Sequence, residues 1–383
     1  MGTLSGWAYR KSVTVSENVT VTGTIAVTNG SAAIVGTGSN FTSWSVGDKI
    51  QCPDTNWYTI ATITDATHLT ISVTYPGSNA SGQAYDMQRI NYQVKLTVYS
   101  GAGTDSTGVI YLNSHCSNWP TDILFTLSDG TTTAGADFWR EVNTTTSGTW
   151  WLEANSISAN PNGFHGYVYY GKIDAADASS IANTFITGDD FKRADSATVG
   201  NGWTETESGS ALASISGNTL LLTQASVDER PNVSKAFTAI TTKAHVRMKM
   251  KQSSTTIANS DNLAIPGTVM LRENGYISHV DSGWRSLQTY AADTYYTIDF
   301  YFTPSAESDI YVDGTKRWDS NNKASSLSSW GFKASGSRTG TFNVAYCFIG
   351  NWATNEPTWG ASGTEENLLY IPYVNPIFQL LAH

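Results

Sequence analysis

Catalysis would first be sought in Glu307-Ser308-Asp309-Ile310-Tyr311-Val312. Glycoside hydrolysis needs two carboxylates on one face, one to attack the anomeric carbon and one to protonate the leaving oxygen. Alternate residues of a strand provide such a pair. The position that should carry the second Glu is Val312, and the segment runs straight into Asp313-Gly314. These acids therefore read as a solvated loop pair. Glu205 and Glu207 also alternate, as the exposed face of an edge strand would. The six histidines, His68, His115, His165, His245, His279 and His383, stand in neither a Gly-x-Ser-x-Gly nor a His-Glu-x-x-His context. His115 and Cys116 are neighbours, and neighbours on a strand point to opposite faces. No P-loop and no Gly-x-Gly-x-x-Gly follows a strand. The expectation is a non-enzymatic chain.

Binding chemistry is better represented. Arg272, Asn274, Tyr276 and His279 lie within eight residues of one another, with Trp284 and Arg285 just beyond. Aromatic rings stack on the C–H faces of sugars, while guanidinium and amide groups bond hydroxyls, so these six are candidate glycan contacts. The same residues also read as ordinary edge-strand and loop positions, with Trp284 in the core. Other tryptophans, Trp139, Trp150, Trp151 and Trp330, read as core anchors, since aromatic rings bury large areas.

Composition narrows the classes further. The 383 residues hold 22 Lys+Arg against 32 Asp+Glu, a net charge of -10, and only 14% are charged, against about 25% in an average domain. That balance disfavours nucleic acid, anionic membranes and polyanions generally as partners. No apolar run approaches the roughly 20 residues of a membrane-crossing helix. Cys52, Cys116 and Cys347 are far apart, with no Cys-x-x-Cys, and read as small buried hydrophobes, with one disulfide and a free thiol as the alternative.

The elements that must carry these residues are strands. Ser12-Val13-Thr14-Val15, Thr24-Ile25-Ala26-Val27 and Tyr92-Gln93-Val94-Lys95-Leu96-Thr97-Val98 alternate with period two and are broken by Asn-Gly and Asp-Gly turns. Only 174–181 reads as a short helix or turn. The fold class is all-β: several β-sandwiches with a small inserted β-barrel. The expected organisation is 1–18 with 89–185 as one sandwich, 19–88 as the barrel insert, 186–352 as a C-terminal jelly roll, and 353–383 as a tail. Within the tail, 355–366 is loop-like and 368–381 strongly apolar, fit either to pack on its own chain or to dock a neighbouring subunit.

Trp7–Val15, Asn91–Val98, Trp119–Gly130, Phe138–Glu141 and Val168–Gly171 together resemble the DUF2341 family. This resemblance implies a β-sandwich associated with adhesion or carbohydrate and supplies no catalytic residues. The 19–88 insert, with Val46-Gly47-Asp48-Lys49-Ile50 and Trp57-Tyr58-Thr59-Ile60, is similar to small β modules of phage tails and virions. Asp190–Ser196 with Gly200–Trp203, and Tyr295–Phe300 with Ile310–Gly314, resemble the concanavalin A-like lectin/glucanase jelly roll. That likeness implies one structural Ca²⁺ near the first strand, with Asp189 and Asp190 as its candidate ligands. Met1–Trp7 has neither a basic nor an apolar region of a signal peptide. The expected setting is thus a virion, with an extracellular or cell-surface protein as the alternative. The expected partners are a surface polysaccharide and other virion subunits or further copies of the chain.

Overall fold

The computed structural model describes residues 3–224, 230–255, 261–266, 268–272, 274–281, 283–321, 323–334 and 340–369, with the backbone alone at 261–265. Most of the apolar tail, 370–383, and with it the subunit-docking expectation, lies outside these residues. The chain forms two compact units: one of 1–20, 94–180 and 357–383, the other of 21–93 and 181–356.

The first unit is built around strand Tyr9–Ser16, in which Val13 and Val15 are buried while Ser12 and Thr14 are not. Its sheet runs Ile123–Leu127, Phe164–Tyr170, Tyr9–Ser16, and the register sets Val13 opposite Gly166 and Val15 opposite Phe164. A second set of strands, Phe138–Asn143 and Ser147–Ser158, brings in Trp139 and Trp150, both fully buried. Burying a large apolar side chain contributes about 1.5–3 kcal/mol, so these tryptophans are core anchors. The stretch expected to be loop-like forms a strap. Thr358–Trp359 and Glu366–Asn367 pair antiparallel with the free edge of Tyr9–Ser16. Gly360 N and Gly363 N donate to Thr14 O and Ser12 O at 2.8 and 2.9 Å. Both glycines are needed there, because a Cβ would come within 2.3 Å of Thr14 Oγ1 or 2.1 Å of Ser12 Oγ.

In the second unit the insert supplies strands Lys49–Gln51, Trp57–Ile63, His68–Ile71, Ala33–Thr37, Thr24–Val27 and Ala80–Gln83, hydrogen-bonded in that order. Residues 181–356 make two larger sheets with Trp330, Phe332, Met248, Met250, Ile298 and Phe300 in the shared core. The eight-stranded sheet is centred on Ala244–Gln252, between Gly340–Asn351 and Tyr296–Phe302. The seven-stranded sheet ends in Val269–Arg272, Tyr276–Val280 and, at its edge, Trp284–Thr289. Asp313 and Gly314, at φ 49° and 76°, close the hairpin between Ser308–Val312 and Thr315–Ser320; two positive-φ residues are what a tight hairpin turn requires. The segment just after the insert meets the end of the larger sheets inside this unit, where Asn351 N donates to Gln93 Oε1 at 2.8 Å and Tyr92 OH to Glu356 Oε2.

The structure departs from the sequence expectation at 174–181. Only Ile181–Thr184 is helical. Upstream, Asp177 Oδ1 accepts the Ser179 amide at 3.1 Å, and Arg140 Nη2 reaches Asp177 Oδ2 at 2.6 Å. An Asp side chain that takes a nearby amide offers the backbone an alternative to the helix.

Candidate functional site

On the last three strands of the seven-stranded sheet, Val269, Leu271, Ile277 and His279 are buried. The register places Met270 opposite Ser278, Ser278 opposite Ser286, and Val280 opposite Trp284. With period-two alternation, Arg272, Tyr276 and Trp284 therefore share the outward face. Trp284 is 47% exposed and Tyr276 38%, so Trp284 does not belong to the core. The Arg272 guanidinium carbon lies 3.8 Å from the centre of the Trp284 ring, the geometry of a cation–π contact. Between them Ser278 is fully buried, and its hydroxyl has no hydrogen-bond partner among the described residues.

The other sequence candidates lie elsewhere. His279 points inward, with Nε2 2.7 Å from Ser320 Oγ. Arg285, paired opposite His279, shares its direction. The Arg285 guanidinium stands over Trp318 at 5.0 Å, and its Nε is 3.5 Å from Asp281 Oδ1. Trp318 Nε1 donates to Asp281 Oδ2 at 3.1 Å. These contacts knit the side of the sandwich together and offer no ring face to a ligand. Asn274 sits in the intervening turn, its Oδ1 accepting the Tyr276 amide at 3.3 Å. The outward face thus unites Arg272, Tyr276 and Trp284, with Asn274 at its border. Ser278 escaped sequence reasoning, although its even spacing from Tyr276 marks it for the same face.

Asp189 has a donor set unlike that of a cation site. Its Oδ1 accepts from Phe191 N and Arg193 Nη1, each at 2.8 Å. Its Oδ2 accepts from Asn201 Nδ2 at 2.9 Å and Trp203 Nε1 at 2.8 Å. The carboxylate is almost wholly buried. Burial alone would raise its pKa, but the Arg193 ion pair and the surrounding N–H donors hold it below the ordinary carboxylate value. Calcium needs converging oxygen ligands, whereas four N–H donors, one of them a guanidinium, occupy both oxygens here. Asp190 is turned to Lys192, whose Nζ is 3.5 Å from Oδ2. These residues do not fit the Ca²⁺ expected from the fold resemblance. Among the described residues no group of three or more His, Cys, Asp or Glu could hold a metal.

The acids of the sequence motif are on the other sheet. Asp309 and Asp319 face each other across a hairpin, and Lys316 Nζ lies 3.2 and 2.6 Å from them. Burial, and then Asp319, lift Asp309 above its usual value, while Lys316 holds Asp319 below its own. Glu205 and Glu207 fasten loops: their Oε1 atoms accept Val199 N and Ala213 N, both at 2.6 Å. Cys52, Cys116 and Cys347 are free thiols, and Cys52 and Cys347 are buried.

The profile of DUF2341, a domain of unknown function, matches residues 119–206. That stretch includes the Trp119–Gly130, Phe138–Glu141 and Val168–Gly171 pieces and runs on through Asp189 and Trp203. No curated protein matches the chain. Similar solved structures include a sialidase, at 12% identity and TM-score 0.39, where the match covers 51% of this chain and 20% of the sialidase. A native glycosidic hydrolase is similar at 12% identity and TM-score 0.33, over 44% of this chain and 96% of the hydrolase. A carbohydrate recognition domain in its metal-free form is similar at 9% identity and TM-score 0.30, over 39% of this chain and 88% of that domain.

Proposed function

We propose that the jelly-roll part of this chain is a non-enzymatic glycan-binding module, and that the whole chain is an adhesive display protein of a virion. The observation that carries the binding reading is Trp284, an indole nearly half exposed on a sheet face and held by Arg272 at 3.8 Å. The part of the indole that Arg272 leaves uncovered, with the guanidinium and the half-exposed Tyr276 near it, supplies what a sugar needs: one C–H surface and hydrogen-bonding groups beside it. The reading as binder rather than hydrolase draws support from the acids. Asp309 and Asp319 are engaged with Lys316, on the sheet opposite Trp284. The virion setting rests on the likeness of the 19–88 insert to tail modules; a cell-surface protein of the same build is the alternative.

A glycan array probed with the full chain and with Trp284→Ala tests the site. Expected is retention on a restricted glycan set and at least about tenfold weaker binding by Trp284→Ala, since losing a buried aromatic contact costs more than about 1.4 kcal/mol. Equal binding by the two proteins refutes the site. New reducing ends released from any bound polysaccharide refute the non-enzymatic reading.

A further inference from the structure

Near its last strand the eight-stranded sheet turns two tyrosines outward. In Tyr296–Phe302 the residues Ile298, Phe300 and Phe302 are buried in the core, and in Ser308–Val312 so are Ile310 and Val312. With period-two alternation, Tyr301, Asp309 and Tyr311 therefore lie on the outer face. The register sets Asp309 opposite both Tyr301 and Asp319, and Tyr311 opposite Lys316.

This face is closed on one side and open on the other. Toward Gly340–Asn351, Phe185 stacks on Phe348 at 3.8 Å, and Phe348, His245 and Asp299 are buried. Asp299 is spent there on His245 Nε2 and Arg247 Nη1, at 2.6 and 3.4 Å. Toward Thr315–Ser320 the cover stops. Asp309, Tyr301, Tyr311 and Trp352 are partly exposed, and Lys316 and Asp319 are exposed. The three rings form one cluster, with the centre of Tyr301 5.3 Å from that of Tyr311 and 5.4 Å from that of Trp352. Past the rings the surface dips into an open cleft of about 330 Å³, lined by Lys316, Arg317, Trp318 and Asp319, which is the size of a ligand site.

We infer that this patch is a second ligand site, and that its ligand is a neutral polysaccharide. Partly exposed rings in a cluster offer C–H contacts to more than one sugar, and a carboxylate beside them accepts hydroxyl hydrogens through both oxygens. The charges select the neutral class. Two carboxylates, Asp309 and Asp319, stand against two ammoniums. One is Lys316, whose Nζ lies 3.2 and 2.6 Å from them, and the other is Lys243, 5.3 Å from the centre of the Trp352 ring. A sugar acid would meet the carboxylates and an amino sugar the ammoniums, whereas plain hydroxyls find acceptors in the first and donors in the second. The site lies on the sheet opposite Trp284 and stands or falls apart from it.

The test is binding of the full chain to three immobilised neutral polysaccharides, laminarin, galactomannan and dextran, with polygalacturonate and chitosan as the acidic and basic controls. Wild type is compared with Tyr311→Ala, Asp319→Ala and Trp284→Ala. The Asp319 side chain is 56% exposed, so its loss leaves the fold intact and guards against a Tyr311→Ala protein that fails to fold. Expected is capture on at least one neutral polysaccharide and on neither control. Tyr311→Ala and Asp319→Ala should each bind that polysaccharide about tenfold more weakly, and Trp284→Ala should bind it like wild type. Capture on none of the three, equal or tighter binding to either charged control, or full retention by Asp319→Ala or by folded Tyr311→Ala overturns the inference. Loss on Trp284→Ala assigns the binding to the other face and overturns it as well.

Discussion

Replacing Asp189 with Ala removes the acceptor for four donors. Phe191 N and Trp203 Nε1 belong to buried residues, and each buried donor left unpaired costs about 1–3 kcal/mol. Arg193, with 28% of its side chain exposed, can turn partly to water, so its loss is discounted. Phe191 is also held at φ 51°, an uncommon conformation for a bulky residue, and the Asp189 bond to its amide helps keep it there. The sum is about 3–5 kcal/mol, the range for removing one partner of a buried ion pair. Urea denaturation followed by tryptophan fluorescence is the assay. At roughly 2–3 kcal/mol per molar urea, the transition that reports the Trp203 unit should fall by about 1–2 M. The acid limb gives a second reading. The folded carboxylate is held below its unfolded value of about 3.9, so the unfolded chain takes up the proton first. Stability from this group is full above that value and is lost as pH falls through the folded one. Asp189→Ala should therefore flatten the wild-type loss of stability below about pH 4. A loss under about 1 kcal/mol, or a wild-type midpoint that rises with Ca²⁺ and falls with chelator, would refute the reasoning.

Trp359→Ala should destabilise the first unit by about 3–5 kcal/mol, because Trp359 is buried and its Nε1 donates to Lys95 O; hydrogen exchange at Tyr9–Ser16 reads this, and unchanged protection there counts against the strap. Native protein at pH 8 should resist thiol labelling at Cys52 and Cys347, whereas urea-unfolded protein should take label at all three cysteines. Burial pushes the Cys52 thiol up to about 12, and it raises Cys116 and Cys347 as well; rapid labelling of folded Cys347, seen by mass spectrometry, would contradict its enclosure.

Much of the fold is legible because a strand writes itself in neighbouring residues. The alternation at Ser12–Val15 and the turn at Asp313-Gly314 each need only a few adjacent positions, and both appear as read. Side-chain direction at the site was harder. Arg285 and Trp284 are neighbours, yet they part to opposite faces, and only the pairing of Arg285 with His279 shows which goes where. The Asp189 side-chain donors come from Arg193, Asn201 and Trp203, three residues gathered by a loop with no period to follow. The strap could not be read, since two-residue ladders carry no pattern and their partner lies at the other end of the chain.

That strap has a consequence during synthesis. Thr358 meets Asn18 across 340 positions of sequence, which at about 5–20 residues per second is roughly 20–70 s of translation. Until then the nascent Tyr9–Ser16 strand has its Phe164–Tyr170 neighbour on one side and bare amides on the other. A ribosome that stalls within residues 181–356 leaves a template on which another chain can polymerise. Closure of the strap is therefore the moment at which the Tyr9–Ser16 edge becomes safe from aggregation.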